Sequence, residues 1–529
     1  MSPKATLHMQ MVRPTCRGDD VPRTRKGAVE SHVISLGSQQ VHVRADAIDT
    51  QSVAGGVVLA GRTVEVDAPD QPRRFYRHGW QSWSPTRWLD VDEPLTPVPV
   101  PELQLFDDDP AYALAERHGG AVVGAVEHDG GVLLIGALGI SGRVELTGAG
   151  LFAGSETTDR WFVAHGNEAD VFAAYADALG NAVGRRPLVD RRVWCSWYSF
   201  YESITESAVD AVLGDLDDFD FDVFQVDDGW QRHVGDWEAN DDFRSGMPAL
   251  ADRIREAGCA PGLWLAPLLV HDDSQTFADH PEWVLRDDTG RPAPAGWNWS
   301  GRVHALDTTH PDALAHVCDV LRVAVAWGYR YLKLDFLFAG ALPGVRRHPV
   351  ERHRAYRDAI EAFRDAVGGD VVLLACGAPV IPSLGVFDAI RVGPDVAELW
   401  ENDHASRYLH VLSTPQARYA VATSVHRLWL QPLIGTDPDV AYFRARYCLL
   451  SDAQKRLVQD LTRVCRFRAT SDIPATLDPD ERTALAAYLA EEVDVRQLGR
   501  YRWVVGERVV DFGPVAGQAP VMLPVPGAR

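Results

Sequence analysis

From about residue 190 the chain alternates short apolar runs with amphipathic helical stretches, and this rhythm lasts for about 300 residues. "RRVWCSWYSF" reads as a strand and "ITESAVDAVLGDL" as a helix. "FDVFQVDDGW" is followed by "PALADRIREAG", and "APGLWLAP", after a long Trp-bearing insertion (268–310), by "PDALAHVCDVLRVAVAWG". "RYLKLDFLF" precedes "ERHRAYRDAIEAFRDAVG". "DVVLLACG" and "FDAIRVG" come next, with "HRLWLQ" and "RFRATS" as weaker candidates for the last two strands. Strands alternating with helices need parallel pairing with helices outside, and eight such units predict a (β/α)8 barrel.

The rest of the chain has a different pattern. Residues 28–175 carry short β-prone runs broken by Gly and Asp, such as "HVISLGSQQVHVRAD" and "GGVLLIGALGISGRVELTG", which predict a β-sandwich. "RHGWQSWSPTRW" (77–88) interrupts them with three Trp and no alternation, and reads as a loop. The expected organisation is a loose N-terminus over 1–27, a sandwich over 28–175, a barrel over 188–492 and a small β element over 493–529.

A barrel of this kind places its active site at the C-terminal ends of its strands. Those ends read "WY" (197–198), "VDDGW" (226–230), "LWLAP" (263–267), "KLDF" (333–336), "ACG" (375–377), "RVGPD" (391–395) and "WLQ" (429–431). Each has a plain alternative: Lys-x-Asp can be a structural ion pair, Asp-Asp-Gly a turn, Trp264 core, and Cys376 a small buried residue. Those alternatives do not explain why all of them fall at strand ends. Lys333 and Asp335, two apart on a strand, share one face. Asp227, Asp228, Asp335 and Asp395 then share one mouth with Lys333 and Arg391.

Paired carboxylates in a Trp-lined pocket are the equipment of glycoside hydrolysis. Asp335 suits a nucleophile, ending a rigid strand beside a cation. Asp395 suits the acid, on a turn where neighbouring negative charge raises its pKa. Arg391 is placed to neutralise and to bind hydroxyls, and Asp227 and Asp228 to accept hydrogen bonds from hydroxyls. Composition agrees: 16 Trp stand against 5 Met, and a net charge of −22 argues against nucleic acid or an anionic membrane. Seven scattered cysteines without a C-x-x-C pair, and an N-terminus without an apolar signal segment, predict a cytoplasmic protein. No metal and no cofactor are expected, because the strand ends lack a His-rich set.

These strings resemble glycoside hydrolase family 36, the α-galactosidase or melibiase type, over about residues 75–475. "GWQSWS" (79–84) looks like that family's N-terminal loop reaching the active site. "WCSWYSFYESITE" (194–206), "VDDGWQRHVGDWEANDDFRSGM" (226–247), "GLWLAP" (262–267), "LKLDF" (332–336) and "RVGPD" (391–395) look like its first, second, third, fourth and sixth strand motifs. The resemblance implies Asp335 as nucleophile and Asp395 as acid/base. It implies substrate contacts from Asp227, Asp228, Trp264, Lys333 and Arg391, with Trp197, Cys376 and Gly377 lining the pocket, and Trp80 or Trp83 closing it. The implied function is a retaining α-galactosidase acting on small α-galactoside oligosaccharides by double displacement. A galactosyl transferase, an α-glycosidase for another sugar, and a non-catalytic carbohydrate-binding protein are the alternatives. A homo-oligomer is compatible with the sequence, which does not set the oligomeric state.

Overall fold

The computed structural model describes residues 30–523, except 38, 47, 48, 69, 70, 96, 97, 99, 114 and 187–189. The expectation of a loose N-terminus over 1–27 lies outside the described residues.

Two antiparallel sheets make up the N-terminal region. The six-stranded sheet runs, in order, Glu30–Leu36, Gln39–Ala45, Thr63–Asp67, Gly150–Gly154, Arg143–Leu146 and Gly119–Ala121. The seven-stranded sheet runs Thr50–Val53, Gly56–Ala60, Arg160–Gly166, Gly131–Ala137, Val123–His128, Arg74–Arg77 and Arg87–Asp90. The inward positions are apolar and alternate with outward polar ones, as in Gln39–Ala45, where Val41, Val43 and Ala45 are buried. The sheets press together at Gly124, where a Cβ would lie 2.7 Å from Val144 of the opposite sheet. The helix Glu168–Val183, N-capped by Asn167, packs on the seven-stranded sheet and leads into the barrel.

The barrel strands are β1 (Arg191–Cys195), β2 (Val223–Val226), β3 (Ala260–Leu265), β4 (Tyr331–Leu334), β5 (Val372–Ala375), β6 (Ala389–Arg391), β7 (Gly435–Asp437) and β8 (Phe467–Thr470). They pair parallel in sequence order, and β8 returns to β1. Val440, just past β7, forms a parallel bridge with Ala469 in β8, which brings the two ends of the sheet together. Strand interiors are buried on both sides, as in β4, where all four residues are covered.

The structure corrects two details of the barrel. "HRLWLQ" is not the seventh strand: Leu428–Leu430 is a 3-10 turn whose two leucines are buried, and the strand is the three residues of β7. Between β5 and β6 the connection is the short 3-10 turn Ile381–Ser383 in place of a helix. Past the barrel, Val495–Gly499, Arg502–Val505 and Arg508–Asp511 form a small antiparallel sheet, with Trp503 buried against Phe512.

Candidate active site

At the C-terminal end of the barrel lies a cavity of about 320 Å³. Asp227, Asp228, Lys333, Asp335 and Asp395 line it with Trp83, Trp197 and Trp264. The ends of β1 to β4 and the segment after β6 contribute these residues, because the parallel register brings those ends to one level.

Asp335 follows β4 and is held on both oxygens. Trp264 Nε1 donates to Oδ2 at 3.0 Å, and the Phe336 amide donates to Oδ1 at 2.8 Å. The second bond requires a sharp turn, and Phe336 takes the left-handed conformation with φ 53°. Trp264 is 2% exposed, so its indole acts through that N–H more than as a stacking face.

Lys333, also on β4, is buried and reaches Asp227 Oδ2 at 2.9 Å and Asp335 Oδ2 at 4.0 Å. Burial works against its charge, but Asp227, with Cys376 and Asp335, holds its pKa well above the usual lysine value. Asp227 also accepts from the side chains of Gln225 and Cys195. Asp228 is held by Gln231 Nε2 on Oδ1 at 2.6 Å and by Trp299 Nε1 on Oδ2 at 2.7 Å. Burial pushes its carboxyl up to about 7 in spite of those donors. The Asp-Asp-Gly turn works because Gly229 has φ 116° and a Cβ there would meet the Glu202 carbonyl oxygen at 2.7 Å.

Asp395 hangs from the segment after β6. Arg391 donates to its Oδ1 at 2.9 Å. Burial, opposed by Arg391 and reinforced by Asp439, pushes its carboxyl up to about 7. Its side chain keeps 29% exposure, toward the cavity that it lines.

Four expected contacts are not at the cavity wall. Arg391 is 4% exposed; its Nη1 lies 2.9 Å from both Asp395 and Asp439, and its Nε lies 3.1 Å from Asp437. It therefore ties Asp395 to Asp437 and Asp439 from beneath the cavity. Cys376 is fully buried beneath the pocket, where burial pushes its thiol well above the usual value. Gly377, at φ 50°, supports the Trp83 ring, which a Cβ would meet at 2.9 Å. Trp80 is 3% exposed and donates to the Leu105 carbonyl at 3.0 Å, so Trp83, and not Trp80, reaches the cavity.

Arg427 fixes the "GWQSWS" loop on the barrel. Fully buried, it donates to the carbonyls of Gly79, Gln81, Ser82 and Ser84 in the loop and of Val392 in the barrel. Burial draws its pKa down to about 9.

Several site residues escaped the sequence reading. Asp437 and Asp439 were hidden by the misplaced seventh strand, although "GTDPD" carries two acids just after an apolar run. Tyr198 donates to Asp439. Trp297, Asn298 and Trp299 sit at the tip of a hairpin inside the 268–310 insertion, and the first two line the cavity. Leu103, Phe106, Val411, Ser413, Thr414 and Pro415 complete the wall and carry no motif at all.

A parallel barrel with Asp335 and Asp395 among the four carboxylates of one sugar-sized cavity is the arrangement of a barrel-type glycoside hydrolase. The model of the family described as Melibiase matches residues 185–358. The α-galactosidase TtGalA from Thermus thermophilus, solved with p-nitrophenyl α-D-galactopyranoside, is 46% identical, with 92% of this chain and 100% of that chain covered and a TM-score of 0.87. The chain belongs to this family, glycoside hydrolase family 36. The Flavonifractor plautii A type blood α-D-galactosamine galactosaminidase is 31% identical over 143 residues, 25% of this chain and 13% of its own. The α-galactosidase AgaA of Geobacillus stearothermophilus is 26% identical over 180 residues, 32% of this chain and 24% of its own. The chain thus spans about a quarter or less of the length of these two curated relatives.

Proposed function

We propose that this protein is a retaining α-galactosidase that removes terminal galactose from small α-galactosides. The observation that carries the reading is the unequal setting of Asp335 and Asp395 in one cavity. Asp335 is fixed by two donors with a lysine 4.0 Å away, whereas Asp395 is pushed up to about 7. That difference supports Asp335 as the nucleophile and Asp395 as the acid.

In the first step an Asp335 carboxylate oxygen bonds to the anomeric carbon while the bond from that carbon to the leaving oxygen breaks. Asp395 gives its proton to that oxygen. In the second step Asp395 takes a proton from water, whose oxygen bonds to the anomeric carbon and releases Asp335. Asp227 and Asp228 retain lone pairs for sugar hydroxyls beyond the bonds they already accept. The choice of α-galactosides is supported by the 46% identity to TtGalA, which has also been solved with stachyose. A cytoplasmic location is part of the proposal and rests on the scattered cysteines; fractionation of cells expressing the native gene tests it.

A panel of aryl α-glycosides differing only at C2 and C4 tests the substrate class, with the galactoside expected to turn over fastest. NMR of the first-formed product tests the stereochemistry: the α-anomer is expected, and the β-anomer would mean inversion.

A further inference from the structure

Two segments far apart in sequence share one part of the cavity wall. The helix Pro101–Asp107 gives Leu103 and Phe106, and the segment after β6 gives Val411, Ser413, Thr414 and Pro415. Asp107 joins them. Its carboxylate accepts the Leu412 amide at 2.9 Å, the Ser413 amide at 3.0 Å and the Ser413 hydroxyl. The residue is 7% exposed, and a carboxylate taken out of water needs such donors, so the contact is specific to that backbone.

Both ends of this contact are anchored. On the helix side, Trp80 holds the Leu105 carbonyl at 3.0 Å and Ser84 holds the Phe106 carbonyl at 2.8 Å. Trp80 and Ser84 belong to the loop that Arg427 clamps to the barrel. On the other side, Gln416 is fully buried and its amide donates to the Asp395 carbonyl at 2.9 Å. The Gln416 side chain accepts the Asn402 amide at 2.9 Å and donates to Thr414 Oγ1 at 3.0 Å. These hydrogen bonds, joined by the covalent chain from Ser413 to Gln416, therefore link the N-terminal region to the backbone of Asp395.

We propose that Asp107 is a positioning residue that sets residues 411–416 and, through them, the leaving-group side of the cavity and the placement of Asp395. The inference rests on the α-galactosidase reading above, in which Asp395 protonates the leaving oxygen. Asp107 itself touches no reacting atom. Its loss falls on substrates that need a protonated, well-seated leaving group and spares those that do not.

The test compares Asp107→Ala with the wild type on p-nitrophenyl α-galactoside and on stachyose, and follows amide hydrogen exchange over 411–416. The expected result is a kcat/KM loss at least tenfold greater on stachyose, with faster exchange over 411–416. Equal losses on both substrates, or unchanged exchange, would overturn the proposal. If Asp107→Ala does not fold, Asp107→Asn keeps the shape and one acceptor oxygen while presenting an N–H to the second donor, and the same two readouts decide. A wild-type protein that turns over neither substrate overturns the α-galactosidase reading and the leaving-group half of this one. The exchange data then judge the hold on 411–416 by themselves.

Discussion

Lys333 Nζ lies 2.9 Å from Asp227 Oδ2 but 4.0 Å from Asp335 Oδ2. The two residues that share a face of β4 are thus not each other's main partners: the lysine spans to the end of β2, and Trp264 of β3 takes up Asp335. Lys333→Met leaves Asp227 buried and without its cation. Breaking such a pair costs about 3–5 kcal/mol of stability. Activity is expected to fall by about 10²-fold or more in kcat/KM. Steady-state kinetics and a denaturation midpoint check both; an unchanged kcat with only a raised KM would limit Lys333 to binding.

Asp335→Asn is expected to abolish turnover on every substrate, because no covalent intermediate forms. Asp395→Asn is expected to spare the first step for nitrophenyl substrates and cripple natural oligosaccharides. Azide should rescue Asp395→Asn by replacing water in the second step. The reverse pattern in the two variants would exchange their roles.

The upward shift of Asp395 fixes the sign of the alkaline limb. Catalysis in the first step needs this carboxyl protonated, so kcat/KM on an oligosaccharide should hold up to about pH 7 and fall tenfold per unit above it. Asp439→Asn removes a charge that resists ionisation of Asp395 and frees Arg391 to favour it. The limb should therefore move to lower pH. A pH profile of both proteins reads this, and a limb displaced upward would contradict the electrostatics.

Arg427→Met takes the guanidinium away from five carbonyls, of which Gln81 keeps the Ser84 amide as a donor. The expected destabilisation is about 3 kcal/mol or more, with the "GWQSWS" loop released from the barrel. Urea denaturation and protease sensitivity near residues 78–84 measure it. Wild-type resistance in the variant would show that the clamp is dispensable.

Trp83→Ala should raise KM for small α-galactosides, because its ring borders the cavity. Trp80→Ala should instead lower stability with little change in KM, since its indole is buried and bonded to Leu105. Equal KM effects in the two variants would erase the distinction.

The sequence by itself determined the barrel and the place where its acidic side chains gather. Parallel strands covered on both faces must be apolar runs, and the polar residues ending them have only the mouth to occupy, so Asp227, Asp228, Asp335 and Asp395 were legible from position alone. The seventh strand was not, because three residues are too short for any period to register, while the apolar run in "HRLWLQ" belongs to a turn. Tertiary structure decided the partners. The sequence places Arg391 near Asp395, but only folding brings Asp437 and Asp439 from the next strand end onto its Nε and Nη1. It marks Trp264 as aromatic, but only packing turns the indole N–H onto Asp335. Asp107 gave no signal, since its three donors lie about 305 residues away and no local pattern records a contact made across the fold.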